Sequence, residues 1–512
     1  MNARQSGNLA SFALIVISSV ALWGCGGGGG GGGAQAQFPY PTEKATCSPG
    51  DNPETGLQGQ STLAERMGGS SAAGIQCNLN LVGQMQGQGA YHAQTWIDHC
   101  SYFSTANGNS GQLNPGVTVV DVSNPANPVA TAYLSAPAMI QTWESLKVST
   151  AAKLLAAVES EGGAGIHPGF AVYDVSNCAT PVLLAAVDLP IGAKQIIQGH
   201  AGAMAPDGRT YYGSTTATPG SLYIIDISNP TQPNLMTVFM PNNGIGVGHD
   251  LSVSEDGNRV YLMQLGQGVA GDNGLTILDV SDFNARKANP QVRVVGSDYW
   301  TDAGVGMTSE QIAINGKPYL LVSDELQVGY TSGSRSSNCE NGTPLFGFGR
   351  LVDISDETHP FTVSEMKLQV DNPANCNILA TDLAFLNTGF GYSAHYCTAD
   401  NRQNTQMVAC SRHEAGIRVF DVRDPTNPKE VAYYKPPIHT GANLPGSGID
   451  GIPSRTYDWN KSHSRFLNVN GQVELWTTSA DNGFQVLKFN MATMDPGLFT
   501  NVPTSLATIT VP

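Results

Sequence analysis

A pattern of short apolar runs, each opened by a glycine and closed by a polar turn, repeats along the chain. The clearest copy is GVTVVDVSNPANP at residues 116–128, and related copies occupy residues 169–181, 220–233, 274–282, 349–360, 416–428 and, in a worn form, 483–489. Such β-branched and aliphatic runs favour strands. The Asp-Val-Ser-Asn-Pro ending favours a turn, because Asp and Asn bond nearby amides and proline excludes a helix. Each copy, with the apolar run that follows it, is predicted to be two strands joined by a turn.

A second recurring unit precedes each copy and is typical of a β-hairpin. In the third unit it begins at His200 and turns at Asp207-Gly208, and in the fourth it begins at His249 and turns at Asp256-Gly257. In the sixth unit we place this hairpin from Thr381 onward. The hairpin and the following two strands make four antiparallel strands, and sheets of this kind bury their faces by stacking radially. We therefore predict an all-β fold, a seven-bladed β-propeller of four-stranded antiparallel blades.

The two ends of the repeat array complement each other. The last unit has no recognisable fourth strand, whereas residues 78–85 form a lone strand before the first hairpin. We predict that this N-terminal strand completes the last sheet and closes the ring, since closure removes an exposed sheet edge.

The strand-and-turn copies resemble the LVIVD-repeat family, and the resemblance covers residues 78–489. It is carried by Val119, Val120 and Asp121 with the Ser-Asn-Pro turn that follows, and by their copies. The resemblance implies a β-propeller of bacterial and archaeal surfaces. It implies no particular chemistry, because the family has no general activity attached to it.

The N-terminus carries export signals. Residues 1–24 are predicted to be a signal peptide, and Leu22, Gly24 and Cys25 resemble a bacterial lipobox. This resemblance implies that Cys25 is lipidated and that the protein is anchored extracytoplasmically, at the bacterial outer membrane. The alternative is an uncleaved anchor, but the apolar core is shorter than the ~20 residues of a membrane span. Residues 25–58 are predicted to be a glycine-rich flexible tether and residues 59–512 a single propeller domain.

Eight cysteines remain once Cys25 is set aside, and an even number in an exported protein predicts disulfides. The predicted pairs are Cys397 with Cys410 and Cys339 with Cys376. The spacings His395-x-Cys397 and Cys410-x-x-His413 also imitate a zinc-ligand set, although an oxidising compartment favours the disulfide. The net charge of −16 and the absence of a basic run exclude nucleic acid and anionic membrane surfaces as partners, so the lipid is the only predicted membrane contact.

Histidines stand at matching places in several units, at the residue that opens the innermost strand. In a propeller these positions face the mouth of the central channel, where imidazoles could hold copper or zinc. Methanethiol oxidase and its selenium-binding relatives are similar in outline, which implies copper. The alternative is a water-filled channel with a polar lining. The candidate ligands are His92, His200, His249 and His463, with Glu144 and Asp250 as supplements and Ser309 or Glu310 and Thr381 or Asp382 at the corresponding places.

Two functions follow from these features. The first is a surface-anchored binding or assembly scaffold without a cofactor, whose loop-rich face engages a protein, peptide or glycan through residues 328–347, 398–412 and 436–457. The alternative is an extracytoplasmic copper- or zinc-dependent oxidoreductase with its site at the channel mouth. The sequence does not indicate an oligomeric state.

Overall fold

Short strands joined by tight turns make up most of the described chain. The computed structural model describes residues 41–106, 112–160, 167–191, 195–216, 221–240, 247–265, 273–329, 335–386, 390–438, 443–448 and 458–504. The α-helices within them are brief: Leu63–Met67, Pro137–Ile140, Ser281–Asn284, Arg335–Asn341, Cys376–Leu379 and Leu383–Leu386. Single 3-10 turns lie at Ser70–Ala72, Gln369–Asp371, Pro373–Asn375 and Pro496–Phe499. Among these described helices, none has the length and hydropathy needed to cross a membrane.

The strands pair in antiparallel sheets of four, numbered here in chain order. Sheet 1 comprises Gln94–Ile97, Cys100–Ser104, Val117–Asp121 and Val129–Leu134; sheet 2 comprises Lys147–Ser149, Leu154–Val158, Phe170–Asp174 and Val182–Val187; sheet 3 comprises Gly202–Met204, Thr210–Thr215, Ser221–Asp226 and Asn234–Phe239. Sheet 4 comprises Val247–Val253, Arg259–Leu265, Asn273–Asp279 and Arg293–Trp300; sheet 5 comprises Val305–Ile314, Lys317–Glu325, Gly349–Asp353 and Phe361–Met366.

Two further sheets complete the described set. Sheet 6 comprises Ala394–Ala399, Met407–Arg412, Gly416–Asp421 and Lys429–Lys435, with Ile75–Cys77 as a fifth strand. Sheet 7 comprises Arg465–Val469, Gln472–Ser479, Gly483–Phe489 and the N-terminal strand Leu79–Met85. The pairing of this N-terminal strand with the last strand confirms that part of the sequence prediction. Sheets 4 and 5 are joined by one bridge between Leu265 and Val305, and Pro190–Ile191 forms a separate pair with Gln195–Ile196.

The repeated aspartate forms the turn between the third and fourth strands. Asp121 Oδ1 accepts a hydrogen bond from the Ser123 amide at 2.8 Å, and Asp174 accepts one from Ser176 at 2.7 Å. The same bond recurs at Asp226, Asp279, Asp353 and Asp421. A carboxylate that bonds the amide two residues later fixes the chain in an Asx turn. The sequence motif therefore specifies a local structure in each repeat.

Hydrophobic cores lie between neighbouring sheets. Val119 of sheet 1 packs in one cluster with Leu155 of sheet 2, and comparable clusters join each sheet to the next through sheet 7. A further cluster contains Phe103 of sheet 1 together with Trp476 and Val486 of sheet 7. Four-stranded antiparallel sheets stacked face to face in this way form a β-propeller.

The packed domain begins before the predicted boundary at residue 59. Cys47 forms a disulfide with Cys77, and the buried carboxylate of Glu54 lies 2.7 Å from Arg418 Nη2. Residues 41–58 were assigned to the flexible tether because their composition is that of a loose leader. Their partners lie far away in the sequence, so composition does not reveal the packing. Cys25 and the glycine run after it lie outside the described residues.

The sixth hairpin also differs from its prediction. Residues that we assigned to its first strand form the helices Cys376–Leu379 and Leu383–Leu386, and the innermost strand of sheet 6 is Ala394–Ala399. Most of the predicted loop at residues 398–412 is consequently strand. The four disulfides include both predicted pairs, Cys397–Cys410 and Cys339–Cys376, as well as Cys47–Cys77 and Cys100–Cys178. Because Cys397 and Cys410 are bonded to each other, neither is a thiolate ligand for zinc.

Candidate functional site

Polar side chains from several sheets meet where the innermost strands begin. His92 lies two residues before the first strand of sheet 1, and His200 lies two residues before that of sheet 3. Glu144 lies three residues before the first strand of sheet 2. The Glu144 amide donates a hydrogen bond of 3.2 Å to the His200 carbonyl oxygen, which brings the starts of sheets 2 and 3 together.

Two further histidines of this group sit on irregularities of their strands. The register of sheet 4 shifts between Gly248 and Leu251, around His249, and that of sheet 6 shifts between Ala394 and Tyr396, around His395. A β-bulge leaves residues unpaired and re-aims their side chains. Both imidazoles are thereby turned toward the same buried space as His92 and Glu144.

The remaining members come from the ends of second strands. Glu325 is the last residue of the second strand of sheet 5, and His413 directly follows that of sheet 6. We call the resulting group the histidine–glutamate cluster; its members are His92, Glu144, His200, His249, Glu325, His395 and His413. The residues are buried, apart from His200, whose side chain is 13% exposed.

His395 lies between the two glutamates. Its Nε2 atom is 3.2 Å from Glu144 Oε1 and 3.5 Å from Glu325 Oε2. Its Nδ1 atom lies 2.6 Å from the carbonyl oxygen of Lys461 and donates to it. A neutral ring with its proton on Nδ1 directs the Nε2 lone pair at two carboxylates, which is repulsive unless a cation lies between them.

A second histidine pair lies on the other side of Glu144. Glu144 Oε2 is 3.4 Å from His200 Nε2, and the rings of His200 and His249 are 4.5 Å apart. His249 Nε2 in turn is 3.9 Å from Glu325 Oε1. The indole of Trp143 donates a hydrogen bond of 3.1 Å to His200 Nε2. The two glutamates therefore contact histidines from four sheets.

Backbone carbonyls fix the orientation of three of the imidazoles. Besides His395, the Nδ1 atoms of His249 and His413 each lie 3.0 Å from a carbonyl oxygen, that of Gly306 and that of Ser393. In each case Nδ1 donates its proton to the carbonyl, and in a neutral ring Nε2 then keeps its lone pair. Histidines that ligate metals are held in this manner, with the distal N–H bonded to a carbonyl or carboxylate.

Several of these nitrogens have no hydrogen-bond partner in the described part of the chain, namely both ring nitrogens of His92 and Nε2 of His413. Burial lowers the pKa of both rings well below the ordinary value, and Lys461 lowers it further. Burial and the neighbouring His200 lower the pKa of His249 to about 4. These three imidazoles are therefore neutral at pH 7, the state in which imidazole binds metals.

The glutamates differ from each other. Burial alone would raise the pKa of Glu144, but His200 and His395 together hold it well below its ordinary value. Burial raises the pKa of Glu325 to about 7, against the opposing effect of His395. The cluster thus holds one firmly ionised carboxylate and one that a cation would ionise.

Three of the four predicted histidine ligands belong to the cluster, and the fourth lies beside it. The ring of His463 packs 4.0 Å from that of Tyr396, and its Nδ1 atom lies 3.2 Å from Thr398 Oγ1. Glu310 pairs with Arg402 and Asp382 bonds Tyr392, so neither joins the histidines. Sequence reasoning placed His395 and His413 in a zinc set with the bonded cysteines, and it missed Glu325.

Within the described residues, three groups bring metal-ligating atoms of the cluster within 4.8 Å of one another: His92, Glu144 and His395; Glu144, His200 and His249; and Glu325, His395 and His413. Two other groups, around Cys100 with Cys178 and around Cys47 with Cys77, consist largely of disulfide-bonded cysteines. Their sulfurs are not available as thiolates. The histidine–glutamate cluster is therefore the candidate site.

Solved structures whose backbone partly superposes on this chain have little sequence in common with it. Kuenenia stuttgartiensis hydrazine synthase is 10% identical, covering 80% of this chain and 97% of its own, with a TM-score of 0.46. The Cps50 (Swd1) β-propeller domain of Myceliophteria thermophila is 11% identical, covering 80% and 100%, with a TM-score of 0.47. A putative 6-phosphogluconolactonase from Bacteroides fragilis is 12% identical, covering 67% and 86%, with a TM-score of 0.41. No curated protein sequence matches the chain significantly.

A family model for the LVIVD repeat matches residues 112–132, 217–240 and 268–285. These segments coincide with the first, third and fourth copies of the strand-and-turn motif, including the aspartates at 121, 226 and 279. The match confirms the resemblance drawn from the sequence. The chain therefore contains LVIVD repeats within its β-propeller fold.

Proposed function

We propose that the chain is an exported metalloprotein whose histidine–glutamate cluster binds a transition-metal ion. The observation that carries the proposal is the placement of His395 Nε2 at 3.2 and 3.5 Å from two carboxylate oxygens while its Nδ1–H is bonded elsewhere. A protonated His395 would satisfy those two contacts alone. It would leave the unpartnered nitrogens of His92 and His413 unexplained, whereas a metal ion accounts for all of them.

The donors restrict which metal the site takes. Imidazole and carboxylate ligands without thiolate suit zinc, copper(II), iron and manganese rather than copper(I). A bound ion acts as a Lewis acid and lowers the pKa of a bound water. Copper in the purified protein would support the predicted oxidoreductase, and zinc would favour a hydrolytic or other Lewis-acid activity.

Elemental analysis of protein exported from cells and purified without chelator tests this proposal. We expect close to stoichiometric transition metal in the wild type and in His359→Asn, a control at an exposed histidine. We expect metal near background in His395→Asn, whose amide can still donate to the Lys461 carbonyl. A wild-type protein that holds no metal, and takes none up on dialysis against zinc or copper, contradicts the proposal.

The architecture that we propose for the whole domain is a closed ring of seven blades. The antiparallel pairing of Leu79–Met85 with Gly483–Phe489 and the hydrophobic cluster between sheets 1 and 7 support closure. Deleting residues 47–85 is expected to unfold or aggregate the protein, and deleting residues 26–34 to leave its melting temperature unchanged. Equal melting temperatures for the two truncations would count against closure.

The export and anchoring signals remain proposals that rest on the sequence. We infer that Cys25 is lipidated, and that the loop-rich face engages a protein, peptide or glycan partner beside the metal site. The four disulfides support an oxidising, extracytoplasmic compartment. A palmitate analogue should label the wild type in cells and not Cys25→Ala; equal labelling of both contradicts the anchor.

A further inference from the structure

The two oxygens of Glu144 approach different histidines. Oε1 is 3.2 Å from His395 Nε2 and 3.9 Å from His92 Nδ1, whereas Oε2 is 3.4 Å from His200 Nε2. A carboxylate that served one ion would direct one oxygen, or both, at the same set of nitrogens. In Glu144, one carboxylate oxygen instead faces His395 and His92, and the other faces His200.

Glu325 is divided in the same way. Its Oε2 atom is 3.5 Å from His395 Nε2, and its Oε1 atom is 3.9 Å from His249 Nε2. His395 is thus the point where one oxygen of each glutamate converges. The other oxygens are directed toward His200 and His249, whose rings lie side by side at 4.5 Å.

We propose that the cluster is a dinuclear metal centre in which both glutamates bridge two ions. This inference rests on the proposed function, because it requires that the cluster bind metal. The first ion takes His92, His395 and His413 with one oxygen of each glutamate. The second takes His200 and His249 with the other two oxygens. The ligands of the two ions come from six sheets of the propeller.

The number of donors also argues against a single ion. Five imidazoles and two carboxylates exceed the four ligands that zinc takes in most sites. Among the described residues, His200 and His249 share a group of mutually close ligating atoms with Glu144, whereas His92 and His413 each share a group with His395. One ion at the centre would leave some of these donors without a metal ion, whereas two ions use all of them.

The two positions differ in their metal-free state. Trp143 donates a hydrogen bond to His200 Nε2, so this lone pair is occupied until an ion displaces the indole. In the first set, His92 and His413 offer nitrogens with no such partner in the described chain. The first ion is therefore expected to bind more tightly, and the second to fill only at higher concentration.

A carboxylate-bridged pair of ions lies about 3.5–4 Å apart and can clamp one oxygen atom of a substrate or a hydroxide between them. The second position is the more accessible, since the His200 side chain is 13% exposed while those of the first set are buried more deeply. We infer that the clamped ligand is an oxygen-donor anion that enters beside His200. The site would select this anion by its coordination to the two ions rather than by a hydrophobic pocket.

Zinc stoichiometry in the full chain distinguishes one ion from two. Metal-free protein is equilibrated with Zn²⁺, freed of excess by dialysis against buffered zinc, and analysed for zinc per chain. Two variants each remove one ligand from one set, namely His413→Asn from the first and His249→Asn from the second. Asparagine retains a donor for the carbonyl that each Nδ1 atom bonds. His463→Asn is the matched control, because this buried histidine belongs to neither set.

We expect two zinc ions per chain in the wild type and in His463→Asn, bound in two steps of different affinity. Each ligand variant should lose one ion and keep the other. One ion in the wild type, weakened by both variants alike, would overturn the dinuclear centre and leave the proposed function standing. No zinc in the wild type would overturn the proposed function itself. Circular dichroism of each variant establishes that its fold is retained.

Discussion

Two groups of buried charged side chains in this propeller are built in opposite ways. Around Arg418, the cations and carboxylates are matched: Glu54 and Glu430 lie 2.7 and 3.0 Å from its guanidinium, and Lys435 lies 3.0 Å from Glu54. Backbone and side-chain amides satisfy the remaining oxygens, including Gln58 Nε2 at 3.0 Å from Glu430. The histidine–glutamate cluster has two carboxylates among five imidazoles and includes ring nitrogens that have no hydrogen-bond partner in the described part of the chain.

The difference separates a structural network from a binding site. Burying charges is costly unless each charge is paired and bonded. The Arg418 network meets that condition with its own residues and fastens the N-terminal segment to sheet 6. The cluster would meet it with added positive charge, from a bound cation or from protonated imidazoles, because a neutral ring offers the carboxylates a lone pair where its unbonded nitrogen faces them. The first group therefore fits a structural role, and the second fits the metal ion that we propose for it.

The largest effect is expected from breaking the matched network. Arg418→Met leaves Glu54 beside Lys435 and the partly exposed Lys44, and leaves Glu430 without its guanidinium, so the free energy of unfolding should fall by about 3–5 kcal/mol. Arg423→Met is the control, because this arginine bonds Asp421 and Asp495 near the surface and should cost less than about 1 kcal/mol. Denaturant unfolding of the metal-free proteins measures both. Equal losses in the two variants would remove the basis of the comparison.

An intermediate effect is expected when the cluster receives its cation. Zinc at a free concentration of 100 times the Kd of the tighter position should raise the free energy of unfolding of the wild type by about 2.7 kcal/mol through that ion alone. Glu144→Gln should gain much less at the same zinc concentration, because it loses an oxygen from both proposed positions. Without zinc, this variant should lose stability, because the lowered pKa of Glu144 means that its ionised form stabilises the fold at neutral pH. Thermal unfolding with and without zinc provides the measurement.

The smallest effect concerns acid. Burial and the neighbouring Lys147 lower the pKa of His463 well below the value of about 6.5 for an unfolded chain. As the pH falls, the unfolded state takes up the proton first, so stability that is present above pH ~6.5 is lost below it. This residue contributes at most about 1.4 kcal/mol per pH unit.

His463→Asn removes that contribution, so the metal-free variant should lose less stability than the wild type between pH 6.5 and 5.5, by at most about 1.4 kcal/mol, in the same denaturant series. Other buried histidines keep their own share of the acid sensitivity in both proteins. If the free energy of unfolding falls equally steeply with decreasing pH in the wild type and the variant, His463 is protonated in the folded protein as readily as in the unfolded chain.

Local signals made the repeat architecture predictable from the sequence. The aspartate of each copy acts on an amide two residues away, so the turn after Asp121 needs no information from the rest of the chain. The last repeat lacks a fourth strand and residues 78–85 have no partner in their own repeat, so their pairing was also predictable from the sequence. The disulfide Cys397–Cys410 was predictable because its partners occupy one hairpin. Cys339 and Cys376 were expected in two loops of one face, and the structure pairs them from the short helices Arg335–Asn341 and Cys376–Leu379.

The cluster was only partly predictable, because its assembly depends on geometry beyond one hairpin. His92, His200 and His249 carried a signal as matching residues of the innermost strands. His395 lies on the innermost strand of sheet 6. The apolar residues Leu383–Leu386 resemble such a strand in sequence, so we placed the innermost strand there and did not match His395 with the other histidines. Glu325 and His413 end second strands, and no repeat pattern marks that position.

The packing of residues 41–58 was hidden for a related reason. Their polar, proline-containing composition is that of a leader, and nothing near Glu54 in the sequence announces Arg418, which is 364 residues away. A buried ion pair between distant segments becomes visible only when the sheets are assembled. The same limitation applies to the glutamates of the cluster.

The most direct test of the central claim is a crystal structure of the exported protein grown with zinc, with anomalous diffraction measured at the zinc edge. The account predicts anomalous density between Glu144 and Glu325, with ligand nitrogens at about 2.0–2.1 Å, including His395 Nε2. Contradiction would be a map without anomalous density at the cluster, in which His395 Nε2 keeps its contacts to both carboxylates as a protonated imidazolium.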